Sequence, residues 1–180
     1  MPLPTRAEAQ KLLEEYVTEP YQLLHAKMNA LALEAYAEKF GEDKDLWYIT
    51  GLLHDLDYDK FPDEHPDREL AWFKEWDYPK ELIHAVDAHA FGYKDYMTEP
   101  QTKLAKTLLA TDELCGIIHA YSLMRPTGYE GMKASKAKKK FKDKSFAAKV
   151  DRDVIKKGVD AMEIDLTEHL AFLIGVFQDL

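Results

Sequence analysis

GLLHDLDYDK, residues 51–60, sets His54 and Asp55 side by side where an apolar segment gives way to an acidic one. Upstream, Leu46, Ile49 and Leu53 recur at helical spacing, which predicts a helix over 43–55. His54 falls on the face of that helix shared with Trp47, Thr50 and Gly51, so it points inward. The stretch 55–66, DLDYDKFPDEHP, is polar and reads as a loop. Buried imidazoles and carboxylates are costly unless paired or bound to metal. Neighbours on a regular helix lie about 100° apart. His54 and Asp55 therefore grip one ion only near a helix end, where the backbone adjusts.

Working outward, two further positions carry the same chemistry. His25 shares a helix face with Tyr21 and Met28, and Asp112 shares one with Ala105, Leu108 and Cys115. Two imidazoles and two carboxylates make His25, His54, Asp55 and Asp112 a candidate site for one divalent transition metal. Each residue also has a plainer reading: a core histidine with a satisfied ring, or an Asp112 engaged in an ion pair or helix cap. His89 lies with Leu82, Ala85 and Val86 and should face inward, whereas His84 lies with Lys80, Glu81 and Asp87 and should face solvent. His65 precedes Pro66 at a helix start.

The pattern is helical nearly throughout, so the fold class is all-α. Thr5 is placed to cap a first helix reaching about Val17. Pro20 opens a second, stopped after Phe40 by Gly41. Further helices are predicted over 66–75, 79–90, 101–122, 134–142, 151–162 and 166–179, with TGYEG (127–131) as a loop. No alternating strand pattern or repeat is present. The expected organisation is one domain over 1–180, with a metal-site core at about 20–125 and a C-terminal helical extension at about 126–180.

Composition narrows the class. Hydrophobic residues make up 46% of the 180, an ordinary globular value. No long apolar run suggests a membrane span, and MPLPTRAEAQKLLEEY lacks the apolar centre of a signal peptide. The one cysteine, Cys115, rules out an internal disulfide framework and reads as a small core residue. A reducing cytoplasm is the expected location. Net charge is −9, unevenly spread: residues 133–149 carry eight lysines and one aspartate, leaving the remainder at −16. This run reads as a solvated face or loop rather than a nucleic-acid platform, because aromatic interleaving is thin and the overall charge opposes nucleic acid. A local phosphate-steering role stays open.

The H…HD…D pattern, with LLHDLD at its centre, resembles the HD superfamily of metal-dependent phosphohydrolases over roughly residues 20–125. The resemblance implies an HD-type helical bundle in which His25, His54, Asp55 and Asp112 bind a divalent metal. Its identity (Mn, Co, Ni, Mg, Fe or Zn) is open. Some members place two histidines between the pair and the last aspartate and hold a second ion. His65 in EHPDREL and His89 in AVDAHAFG look like that extra pair. LHDLDYDK stands where a common variant has LHDIGK, which displaces Lys60 from the usual lysine position. DELCGIIHAYSLMRP and the lysine-rich tail are similar to a subgroup of small bacterial HD-domain hydrolases.

A metal with free coordination positions activates water and neutralises phosphate charge. Lys60, Arg68 and Arg125 are candidate cations around such a site. Glu64 is preferred over Asp57 and Asp59 as the acid that protonates a leaving oxygen. The expected activity is phosphohydrolase or phosphodiesterase action on a nucleotide or other small phosphorylated molecule. Two alternatives accompany it: a two-iron oxygenase using six ligands, and a non-catalytic module retaining structural metal. No Gly-rich phosphate loop or serine elbow is present. Oligomeric state is left open by the sequence.

Overall fold

The computed structural model describes residues 3–178 and 180. Its helices are α1 (Arg6–Tyr16), α2 (Pro20–Phe40), α3 (Lys44–Leu53), α4 (Asp67–Glu75), α5 (Lys80–His89), α6 (Lys103–Ser122), α7 (Ala134–Lys142), α8 (Arg152–Ala161) and α9 (Leu166–Val176). Among the described residues there is no strand, and no helix is long and apolar enough to cross a membrane.

Local chemistry accounts for most boundaries. Thr5 and Glu8 form a reciprocal capping box at α1. Asp43 accepts from the amides of Asp45 and Leu46 at α3, and the Thr102 hydroxyl accepts from the Ala105 amide at α6. Gly41 ends α2 at φ 70° with its N–H on the carbonyls of Ala37 and Glu38, a left-handed conformation that glycine adopts without Cβ strain. α9 stops at Val176, short of the predicted end; Asp179 lies outside the described residues.

Two apolar clusters flank α2. One gathers α1, α3, α4 and α5 around Leu52, Leu53, Phe73 and Leu82. The other joins α2 and α6 to α7, α8 and α9 through Leu33, Tyr36, Leu108, Phe141, Ile155 and Leu173. The C-terminal helices thus share a core with α2 and α6. Both α2 and α6 bury residues around most of their circumference, as expected for helices packed from several sides.

Two glycines permit close helix approaches. A Cβ on Gly51 of α3 would sit 2.6 Å from the Asn29 carbonyl oxygen of α2. A Cβ on Gly158 of α8 would sit 2.4 Å from the Ala110 nitrogen of α6. Gly51 lies one turn before His54 and Asn29 one turn after His25, so this crossing brings the two histidines together.

Candidate metal centre

α2 supplies His25, the end of α3 supplies His54 and Asp55, the following loop supplies His65, the last residue of α5 is His89, and α6 supplies Asp112. α3 ends at Leu53, with His54 as its C-cap. His54 keeps right-handed helical dihedrals at φ −65° and ψ −21°, and turns rather than further helix follow the pair.

Their atoms converge. His25 Nε2 lies 2.7 Å and His54 Nε2 3.2 Å from Asp112 Oδ1. The same two nitrogens lie 3.7 and 3.5 Å from Asp55 Oδ2. The other oxygen of Asp55, Oδ1, lies 3.6 Å from His65 Nε2 and 3.3 Å from His89 Nε2. Asp55 thus spans two donor groups: His25, His54, Asp55 and Asp112 on one side, Asp55, His65 and His89 on the other. Within each group the donor atoms lie within 4.8 Å of one another. Ligands about 2.0–2.2 Å from one ion have separations of this order.

The donor set fits metal in a second respect. His54 Nδ1 lies 2.8 Å from the Gly51 carbonyl, His89 Nδ1 contacts that of Val86, and His65 Nδ1 lies 2.6 Å from Asp57 Oδ1. A ring that donates its Nδ1–H outward presents the Nε2 lone pair inward, the usual outer-shell arrangement of ligating histidines. Electrostatics agree. Burial disfavours a charged His54, yet the carboxylates of Asp55 and Asp112 outweigh it and raise its pKa to about 9. Burial likewise opposes ionisation of Asp112, but His54 and His25 hold it well below the usual carboxylate range. The centre is built to hold positive charge.

Behind His65 lies a buried acid pair absent from the expected ligand set. The Glu69 amide donates to Asp57 Oδ2 at 3.0 Å, and both side chains are fully buried. Burial, reinforced by Asp57 and Asp55, pushes the Glu69 carboxyl well up. Asp57 is thus committed to orienting His65, and Asp59 to the Thr18 amide and hydroxyl at 2.7 and 3.0 Å.

A cavity of about 520 Å³ opens over the centre. It is walled by the aromatic residues Tyr21, Tyr58, Phe91 and Tyr93, and by Glu113, Lys149 and Asp151. The sequence reading missed Glu113, whereas Lys149 belongs to the lysine-rich run for which a local phosphate-steering role stays open. Glu113 is half-buried beside Asp112, and burial with the carboxylates of Asp112, Asp55 and Asp151 pushes its carboxyl up to about 8. Its adjacency to an inward aspartate was the available signal.

Lys60, Glu64, Arg68 and Arg125 do not line this cavity, contrary to their expected placement around the site. Lys60 reaches back to the Glu15 carbonyl at 2.5 Å and lies over the Tyr16 ring. Glu64 is exposed and pairs with Arg68 at 3.4 Å, while the Arg68 guanidinium covers the Phe61 ring. Arg125 ties its own loop through the carbonyls of Gly128 and Glu130 at 2.7 and 2.9 Å. His84 is outside the centre but half-buried rather than solvated, its Nε2 accepting from the Gln101 amide at 3.1 Å. Cys115 is fully buried.

Fold and centre together define an all-helical protein with a histidine–aspartate site able to hold divalent metal. The HD domain family matches residues 23–117, more than half of the chain, and the chain belongs to that family, part of a superfamily of metal-dependent phosphohydrolases that also includes non-catalytic members. Searches of curated proteins and of solved structures gave no match.

Proposed function

We propose that this protein hydrolyses a phosphate ester of a nucleotide or other small phosphorylated molecule at the centre spanned by Asp55. The observation that carries the reading is the division of Asp55 between two histidine groups, Oδ2 towards His25 and His54, Oδ1 towards His65 and His89. Such a set is suited to two ions sharing one carboxylate. When bound, divalent metal supplies positive charge for phosphoryl oxygens and a water acidified to a pKa of about 7.

The chain supplies position and surroundings. Outward Nδ1 contacts hold the rings of His54, His65 and His89 in register, while His25 Nδ1 is buried without such a partner. The cavity volume, about 520 Å³, lies in the range of small-molecule pockets. Tyr21, Tyr58, Phe91 and Tyr93 offer ring faces to the organic part of a substrate. Glu113, the wall carboxyl beside the ligand set with its pKa pushed up to about 8 by burial and neighbouring carboxylates, is the candidate proton donor for a leaving oxygen. Lys149 is a wall cation on the side of the cavity bordered by the lysine-rich segment.

The test is turnover of phosphate monoesters, diesters and nucleotides with Mn, Co, Mg, Ni and Fe added separately. Metal-dependent phosphate release that disappears in Asp55→Ala is expected. Full metal occupancy with no turnover on any ester would refute the reading. A second reading rests on the nitrogen-rich donor set, since four imidazoles with carboxylate also suit iron. Two irons per chain after anaerobic purification, with dioxygen consumption, would favour an oxygenase instead.

A further inference from the structure

We propose that the lysine-rich segment forms an anion-binding compartment joined to the catalytic cavity, so that the substrate carries two phosphoryl groups. One is met at the metal centre and the other by Lys142, Lys144 and Lys149. The inference rests on the phosphohydrolase reading for what occupies the metal end.

A second cavity, of about 530 Å³, lies between the end of α7 and the start of α8. Lys149, Val150 and Asp151 line both this cavity and the one over the metal centre. The two compartments therefore adjoin across one short stretch of backbone. Five cationic and two acidic side chains line the new one, in a protein whose remainder outside 133–149 carries −16.

The acids are already engaged. Asp153 pairs with Lys156 at 2.8 Å. Asp151 caps α8, accepting from the amides of Asp153 and Val154 at 2.9 and 3.2 Å. Among the described residues, Lys142, Lys144 and Lys149 have no acidic partner within ion-pair distance. Five cationic against two acidic side chains leave this concavity a net charge of +3, which attracts multiply charged anions.

The segment is also held in shape. Arg152 donates to the carbonyls of Phe141, Asp143, Ala147 and Val150 at 2.8, 3.0, 3.2 and 3.1 Å, and also to that of Phe146. A planar guanidinium with five donors fixes this loop from inside. The lysines thus stand on a preformed loop, not a free tail. Lysine recognises phosphate as a point charge, so the compartment selects for a second phosphoryl group without dictating the group that bears it.

The experiment compares adenosine 5′-monophosphate, adenosine 5′-diphosphate and adenosine 3′,5′-bisphosphate by calorimetric titration of the metal-loaded full chain. At least one doubly phosphorylated probe should bind about tenfold tighter than the monophosphate, and which one does reports the spacing. Lys142→Gln/Lys144→Gln, at two exposed positions, should abolish that advantage, and salt should weaken it in the parent protein. Equal affinities in the parent, or an advantage that survives in the double variant, would overturn the proposal. Binding is read independently of turnover. A lysine-dependent advantage in a catalytically inert protein would refute only the phosphohydrolase reading, and turnover without the advantage would refute only the compartment.

Discussion

Gly51→Ala tests the idea that helix crossing, rather than ligand identity alone, makes the metal centre. The added methyl would stand 2.6, 2.7 and 2.8 Å from the Asn29 oxygen, the Asn29 carbonyl carbon and the Ala30 nitrogen. All three are backbone atoms, so no side chain can swing aside. Restoring ordinary contact requires α2 and α3 to separate by roughly 0.8 Å. His25 rides on α2 and His54 ends α3, so their spacing widens with the crossing. Metal–ligand distances tolerate only about 0.2 Å, so the quartet should lose affinity by tenfold or more. Overpacking of this kind costs about 1–3 kcal/mol, partly offset by about 0.5–1 kcal/mol from replacing a helical glycine. Metal content after dialysis and the thermal midpoint are the assays. Gly175→Ala is the control, because nothing lies within 4 Å of a Cβ there, and it should leave both unchanged or raise the midpoint slightly. Gly51→Ala protein with full metal content and the midpoint of Gly175→Ala would refute the reasoning.

Four further outcomes are expected. Asp55→Ala should lose bound metal and phosphatase activity while keeping its helical far-UV spectrum; a fully active, metal-free variant would sink the assignment. His89→Ala should impair activity or second-metal binding far more than His84→Ala, and equal effects would show that the two faces were wrongly separated. His169 is buried, with its Nδ1 2.6 Å from the Tyr36 hydroxyl and its Nε2 3.1 Å from the Ala110 carbonyl. Burial, with a smaller effect from Lys39, depresses its pKa from 6.5 to about 4. Because the folded value lies below the unfolded one, its contribution is fully present above about pH 6.5 and is lost as pH falls towards 4, a change of roughly 3 kcal/mol. Urea midpoints at pH 7.5 and 4.5 should therefore converge in His169→Gln relative to the parent, and an unaltered difference would contradict this. Submicromolar binding of duplex or single-stranded nucleic acid should be absent at physiological salt; affinity that survives there and is lost when Lys138, Lys139 and Lys140 become Glu would contradict the reading of the basic run.

The helices and the inward faces of His25, His54, His89 and Asp112 were legible in the sequence because caps and periodicity are local. Their grouping with Asp55 and His65 came from the resemblance to the HD pattern. Caps act over two or three residues, as at Thr5, Asp43 and Thr102. Helical periodicity separates His89 from His84 over a few turns. The step from His54 to Asp55 at a helix end follows from the acidic loop directly after them. Only the tertiary structure decided what surrounds those six. Lys60 turns to the Glu15 carbonyl 45 residues away, and Lys149 reaches the cavity wall from beyond the family match. The Asp57–Glu69 pair forms only when the loop folds back on α4. Long or loop-borne side chains take their direction from partners remote in sequence, and no periodicity records those partners. The division of Asp55 between two donor groups belongs to the same class, because α2, the end of α3, the loop, α5 and α6 must all arrive before one carboxylate can face both.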